Sequence, residues 1–382
     1  MRHFLFASDS FKGSLSSAQI ARILEAEAVK VFPGAECAAL PIADGGEGTV
    51  DSVLSACGGE RVCAVVEGPL GDAVNASYGI LPDGRCVIEL AAASGITLID
   101  RSELDPLRTS SVGFGQLIRH ALEHGARDVF LALGGSATND GGMGAMRALG
   151  VRFLDEDGCE LPGRGGDLAR VADVDASGLM EEARETRFTV MCDVTNPLIG
   201  RAGATAVFGP QKGGTVESLA ELERGMIGYA RIIERRLGTR VAQMPGAGAA
   251  GGMGAAAAAF LSARLVSGIE CLMDLAHFDD LLDRADCCFS GEGRADAQSL
   301  DGKVLSGVAR RCARAGKPLY AIVGSASDGA DALLDLGVTE IVACVEPGTP
   351  IDEALARAEE NYRRAAARVF AELAAAEGES SR

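Results

Sequence analysis

The stretch Gly134-Gly135-Ser136-Ala137-Thr138-Asn139-Asp140-Gly141-Gly142-Met143-Gly144 sets two hydroxyls, an amide and a carboxylate among five glycines. The apolar run Val129 to Leu133 leads into it, and a helix is expected around Met146 to Leu149. A turn of this kind, between a buried strand and a helix start, is a ready anion pocket. Glycine lets the backbone approach a ligand, and free N–H groups at the helix start point at negative charge. With its polar side chains, the pattern suggests a polyphosphate site with a metal nearby. A glycine-rich turn that holds no ligand is the plainer alternative. The loop is not a GxxxxGK[ST] motif, and Gly302-Lys303 is followed by Val304 without the upstream glycine.

Other loops carry charge among small residues. Asp9-Ser10-Phe11-Lys12-Gly13-Ser14 follows the first apolar strand, and Cys192-Asp193-Val194-Thr195-Asn196-Pro197 follows the strand Phe188 to Met191. Phe208-Gly209-Pro210-Gln211-Lys212-Gly213 puts a cation in a tight turn, and Gly291-Glu292-Gly293-Arg294-Ala295-Asp296-Ala297-Gln298 follows the strand at Cys287. Each alone is a polar turn. Their recurrence at strand ends, where open α/β sheets bind ligands, is what points to a site. Two other patterns carry less. Pro245 to Gly251 contains GxGxxG, and Glu270 lies nineteen positions on, but Pro245 and the weak strand before it favour a close-packed loop over a dinucleotide site. His120-Ala121-Leu122-Glu123-His124 fits a zinc-protease pattern. The histidines fall off the apolar face of their helix near its C-terminus, where cationic side chains are favourable anyway.

The elements that must position these loops follow from periodicity. Phe4 to Ala7 reads as a buried strand, and Ser16-x-x-Gln19 as a capping box before a helix that Pro33-Gly34 stops. A strand near Cys37 to Leu40 and a helix carrying Val50, Val53, Leu54 and Cys57 continue a β–α–β–α rhythm, which implies a parallel sheet. The rhythm returns at Cys287 to Ser290, Leu319 to Val323 and Ile341 to Val345, before a charge-laced helix from about Asp352 to Ala375. Between them, Val62 to Leu90 alternates and turns at Pro69-Leu70-Gly71-Asp72 and Pro82-Asp83-Gly84, as antiparallel hairpins do. The expected architecture is α/β in two domains. One is a Rossmann-like parallel-sheet domain from both chain ends, residues 1–75 plus 281–376. The other is an inserted mixed α/β domain, residues 76–280. The cleft between them is the expected active site, and residues 377–382 are expected to be disordered.

Composition narrows the function. A chain of 382 residues suggests two or three domains. Its net charge of −18 disfavours nucleic acid and anionic membranes as partners. Eleven cysteines without a CxxC pair read as reduced thiols, and the N-terminal apolar run is too short for a secretory signal, so a cytoplasmic location is expected.

Seven segments in order resemble the glycerate kinase type 1 family over nearly the whole chain. They are Asp9 to Ser16, Ala43-Asp44-Gly45-Gly46-Glu47-Gly48-Thr49, Gly134 to Gly142, Cys192 to Leu198, Val207 to Gly213, Gly246 to Gly252 and Gly291 to Arg294. Ser8 stands where Pro is usual, Gly13 where Glu is often found, and Ser299 where Thr is common. The resemblance implies ATP- and Mg²⁺-dependent phosphorylation of D-glycerate at the 2-hydroxyl, with the 3-position left open, by a monomer or homodimer. Asp193 is then either the base for the glycerate hydroxyl or a cap on the next turn. Lys12, Lys212 and Arg294 are the cations for the acid and the transferring phosphate, with Arg294 favoured on the carboxylate because a guanidinium pairs it bidentately. Gly134, Gly135, Ser136, Thr138, Asn139 and Asp140 would hold the nucleotide phosphates, and Asp140 is either a Mg²⁺ ligand or a helix cap. Ser10, Asp44, Glu47, Lys212 and Glu292 are assigned to the substrate and Asp296 to the metal; the acids among them are unranked. A phosphate sensor without turnover and an NAD-dependent dehydrogenase using Gly246 to Gly251 are the competing readings.

Overall fold

In β1 (His3–Phe6), Phe4 and Phe6 point to one face and Leu5 to the other, and all three are buried. A strand apolar on both faces must be covered on both, which is the doubly wound arrangement. The computed structural model describes residues 1–11, 13–40, 42, 48–300, 304–346 and 348–380. Lys12, Asp44 and Glu47 lie outside them. Next come β2 (Glu36–Ala39), β3 (Glu60–Glu67), β4 (Ala73–Ile80), β5 (Cys86–Glu89), β6 (Asp128–Ala132), β7 (Arg152–Leu154), β8 (Asp173–Asp175), β9 (Arg187–Met191) and β10 (Arg264–Val266). The last five are β11 (Cys287–Ser290), β12 (Arg294–Ala295), β13 (Leu319–Val323), β14 (Ser325–Ala326) and β15 (Glu340–Ala343).

The chain divides into two units, residues 1–44 with 269–382, and residues 45–268. The first holds a five-stranded sheet, all parallel, in the order β15-β13-β11-β1-β2. Renumbered within the unit this is 2-1-3-4-5, so the winding direction reverses between β1 and β11. One face is covered by the helices Ser17–Val31 and Ala358–Ser380, whose Ile20, Ile23, Leu24, Ala366, Val369 and Phe370 join Phe4, Phe6 and Phe289 in one apolar cluster. The first helix starts on the expected capping box: Gln19 N–H donates to Ser16 Oγ at 3.2 Å and Ser16 N–H to Gln19 Oε1 at 2.9 Å.

The second unit holds a six-stranded sheet in the order β10-β9-β6-β5-β4-β3, parallel from β10 to β5 and antiparallel beyond. The hairpins predicted between Val62 and Leu90 are β3, β4 and β5. Since β3 pairs along its whole length with β4, it belongs to this sheet, and the unit begins ahead of residue 76. Near the C-terminus, the single helix expected over 352–375 is two, Ile351–Ala356 and Ala358–Ser380, interrupted at Arg357 (φ −115°, ψ 20°). The second runs on to Ser380, into the segment expected to be disordered. Ala374-Ala375-Ala376, strong helix formers, carry it there. No helix of the described residues is long and apolar enough to cross a membrane.

Phe289 is fully buried, with ring centroids 4.7 Å from Phe370, 5.5 Å from Tyr320 and 5.7 Å from Phe6. Phe289→Ala should destabilise the first unit by about 3–5 kcal/mol, from lost burial and the cavity left behind. Urea unfolding followed by tyrosine fluorescence measures it, and a loss below about 1 kcal/mol would contradict this packing.

Candidate active site

In the first unit, the loops leaving β1 and β11 run side by side. Ala7 N–H donates to Phe289 O at 2.8 Å, Asp9 N–H to Gly291 O at 3.0 Å, and Ser290 Oγ to Ala7 O at 2.7 Å. Beyond them, where the winding reverses, lies a cavity of about 450 Å³. Ser10, Glu292 and Arg294 all line it, as does Asp9. Asp9 Oδ1 accepts from Ser10 N–H at 2.6 Å, a contact local to the loop. Glu292 is buried, whereas Arg294 is exposed and held loosely, with Nε 3.5 Å from Asp296 Oδ2 and Nη2 3.4 Å from Ser327 Oγ. Asp296 thus stands beside a guanidinium. Its own N–H is engaged in a local turn with Ser299 Oγ at 3.1 Å.

In the second unit, the Gly134 to Gly144 loop leaves β6 as expected and enters the helix Met143–Ala148. It is not an open anion nest, because its own carboxylate fills the helix N-terminus. Asp140 is completely buried. Oδ2 accepts from Ser111 N–H at 2.8 Å, Ser111 Oγ at 2.7 Å and Gly144 N–H at 3.2 Å, and Oδ1 accepts from Gly142 N–H at 3.0 Å. Burial pushes its pKa up, and the hydrogen bonds from Ser111, Gly142 and Gly144 oppose that. Of the two readings of Asp140, these contacts support the cap, since both oxygens accept from donors at the starts of two helices. Among the described residues no group of three or more His, Cys, Asp or Glu could hold a metal ion. Asn139 Nδ2 donates to Thr205 Oγ1 at 3.1 Å, also inside the fold. Only Gly134, half-buried, and Gly135, exposed, leave this part of the loop open to solvent.

Lys212 is 2% exposed. Its Nζ donates to Thr138 O at 2.6 Å and reaches Ser136 Oγ at 3.3 Å, so it grips the loop from within. Burial drives its pKa down to about 7, with Asp140 acting the other way. The turn Pro210–Lys212 that carries it is capped by Gly213, at φ +88°, where a Cβ would lie 2.1 Å from Leu104 O. The structure therefore groups Lys212 with Ser136 and Thr138.

Asp193 stands past the end of β9, half-buried, and its Oδ1 accepts from Ser267 Oγ at 2.9 Å and Gly268 N–H at 2.8 Å. These partners follow β10 and so fix a carboxylate at the carboxyl edge of the sheet. The Pro245 to Gly251 segment has no strand before it. It packs on the Gly134 loop, with Gly141 N–H donating to Gly251 O at 2.9 Å, as a close-packed loop should. His120 and His124 stack at 4.1 Å, and His120 Nδ1 lies 3.1 Å from Tyr78 Oη, consistent with a helix end. Sequence reasoning missed Glu89. At the end of β5 and buried, it accepts from Gly48 N–H at 3.3 Å and from Val50 N–H, closing the N-terminus of the helix Thr49–Cys57. The signal available was an acid ending an otherwise apolar strand, Cys-Val-Ile-Glu.

Two predictions follow from the buried pair of charges. Asp140→Asn removes the charge that four donors face. It should cost about 3 kcal/mol or more in chemical denaturation, equally with and without Mg²⁺. A loss that appears only with Mg²⁺ would restore the metal-ligand reading. Lys212 stays protonated in the unfolded chain up to its ordinary value of 10.5, but in the fold only up to about 7. Between these limits unfolding takes up a proton, so this residue's contribution to stability rises with pH. The wild-type unfolding free energy minus that of Lys212→Met should therefore grow from pH 7 to pH 10. A flat difference would refute the assignment.

Comparison with known proteins agrees with these loops. Residues 4–374 match the glycerate kinase family. The glycerate 2-kinase of Escherichia coli is 43% identical over 371 residues, 97% of each chain. A glycerate kinase of Halalkalibacterium halodurans is 43% identical over 367 residues, 96% of this chain and 97% of the relative. A crystal structure assigned to glycerate kinase 2 of Salmonella typhimurium LT2 superimposes with a TM-score of 0.87 at 42% identity, covering 99% of both chains. With a match of this extent, the chain belongs to the glycerate kinase family.

Proposed function

We propose that the chain is an ATP-dependent glycerate kinase that phosphorylates D-glycerate at the 2-hydroxyl, giving 2-phosphoglycerate and ADP. The observation that carries this is its 43% identity to a glycerate 2-kinase over 97% of both chains. In the reaction, the 2-hydroxyl oxygen attacks the γ-phosphorus in line. The new O–P bond forms as the bond to the β–γ bridging oxygen breaks, and ADP leaves. A positioned base takes the hydroxyl proton. Asp193 is assigned that role. The two donors on Oδ1 fix its direction at the sheet edge, and an ordered carboxylate is what general-base geometry requires. Lys12 and Arg294 supply positive charge to the transferring group.

Lys212 is assigned to positioning. A side chain 2% exposed and bonded to Thr138 O acts on the substrate only through the loop it holds. The open edge at Gly134 and Gly135 supports phosphate contact by backbone N–H groups, not by Thr138, Asn139 or Asp140. Ser10 and Glu292 are placed on the substrates, with Asp44 and Glu47. Mg²⁺ is proposed to arrive as the nucleotide's counter-ion, held mainly by its phosphates, with Asp296 as the candidate protein carboxylate. A cytoplasmic monomer or homodimer belongs to the same reading.

Incubation with ATP, Mg²⁺ and D-glycerate should release ADP only when D-glycerate is present, and ³¹P NMR should identify the 2-phosphate. The 3-phosphate would overturn the regiochemistry, and D-glycerate-independent release the kinase reading. Asp193→Asn should lower kcat by about 10²–10⁴-fold with the KM for D-glycerate nearly unchanged. Full turnover in that variant would remove Asp193 from the role of base.

A further inference from the structure

The cavity of the first unit does not suit a three-carbon acid. Its volume, about 450 Å³, falls in the range of sites for larger organic ligands, about 300–1,000 Å³. Much of its lining is apolar, including Val304, Cys344, Val345, Ile351, Leu355 and Ala358. D-Glycerate carries a polar group on every carbon and has almost nothing to bury there. Burial pushes the Cys344 thiol up to about 12, so that part of the lining is uncharged. Ile351 is 68% exposed and Leu355 40%, which leaves two large apolar side chains on the short helix Ile351–Ala356 facing water.

Resting on the kinase reading, we propose that this cavity binds the nucleoside half of ATP, with the base against the apolar lining and the phosphates at the Arg294 rim. The place is where an open parallel sheet binds nucleotides, outside the carboxyl ends of the strands at the reversal of winding. The polar groups are distributed to match. Asn361 lines the cavity, with Oδ1 accepting from Arg364 at 3.0 Å, so its NH₂ hydrogens are the donors presented to ring nitrogens. Asp9 and Glu292 also line the cavity and supply carboxylates, the acceptor type that sugar hydroxyls take. Those carboxylates repel phosphate, which fixes the ligand's direction. The polyanion must leave towards the exposed guanidinium of Arg294, and the base must point inward. Arg294 thereby moves from the glycerate carboxylate, where its bidentate geometry first suggested it, to the nucleotide phosphates.

Calorimetric titration with ADP and with adenosine, beside steady-state kinetics in D-glycerate, tests the assignment. Ala354→Phe narrows the cavity, and Ile351→Asp puts a charge on a position so exposed that folding is not at stake. Both should weaken ADP and adenosine binding at least tenfold while the KM for D-glycerate stays within twofold. Arg294→Ala should weaken ADP at least tenfold and leave adenosine unchanged. Unchanged ADP affinity in both cavity variants, or a loss confined to D-glycerate, would overturn the proposal. If wild type binds ADP, the cavity variants lose it, and no phosphoryl group reaches D-glycerate, then the nucleoside site stands and the acceptor assignment falls.

Discussion

A carboxylate with no access to water organises the second unit. Asp140 gathers donors from two segments far apart in sequence, Ser111 at the start of the helix Val112–Glu123 and Gly142 and Gly144 at the start of the helix Met143–Ala148. Desolvating one ion costs several kcal/mol, and only short hydrogen bonds from charged-group geometry offset that. The constraint therefore runs outward. Ser111 Oγ passes the connection on by accepting from Ala145 N–H at 3.0 Å, and Tyr229 Oη donates to Gly141 O at 3.1 Å from the long helix Val216–Leu237. The ammonium of Lys212 shares the same dry region, where Asp140 shifts it towards its ionised form against the effect of burial.

The first unit reaches order differently. Its sheet is held by interlocked rings, Phe4, Phe6, Phe289 and Phe370, and its polar groups are displaced to the carboxyl edge. A fully parallel sheet buried on both faces has no other surface on which to present chemistry. The reversal of winding opens a crevice at that edge, and the short pairing of β12 with β14 sets Arg294 at its rim. Rigidity in the strands and openness at their ends are two results of one topology.

How much of this was legible in the chain depended on how local the determining physics is. The capping box at Ser16 and Gln19 spans three residues, and it forms as read. The hairpins between Val62 and Leu90 were visible because alternation and turn residues are properties of consecutive positions. The loops bearing Ser10, Asp193, Glu292 and Arg294 were legible because each follows an apolar strand. The role of Asp140 was not, because its partner Ser111 is 29 residues away, and neither was the burial of Lys212, 74 residues from Thr138. Glu89 went unseen for the same reason, its partners lying 39 and 41 positions upstream. The break at Arg357 was hidden because the residues on either side, Leu355, Ala356, Ala358 and Glu359, all favour helix.

The glycines of the opening loop illustrate how one observation can have more than one cause. Glycine enrichment at a strand end does mean that something approaches the backbone closely. At Gly251 the visitor is the chain itself. A Cβ there would lie 2.1 Å from Thr138 O, and at Gly252 2.7 Å from Gly141 Cα. Two glycine-rich segments over a hundred residues apart lie backbone against backbone, joined by the Gly141 to Gly251 hydrogen bond. With that face spent on packing and the helix start spent on Asp140, what stays open to solvent in Gly134 to Asp140 is the narrow edge at Gly134 and Gly135. A glycine loop should therefore be weighed by which of its N–H groups remain unspent once the fold has closed, and here the carboxylate within the motif is what spends them.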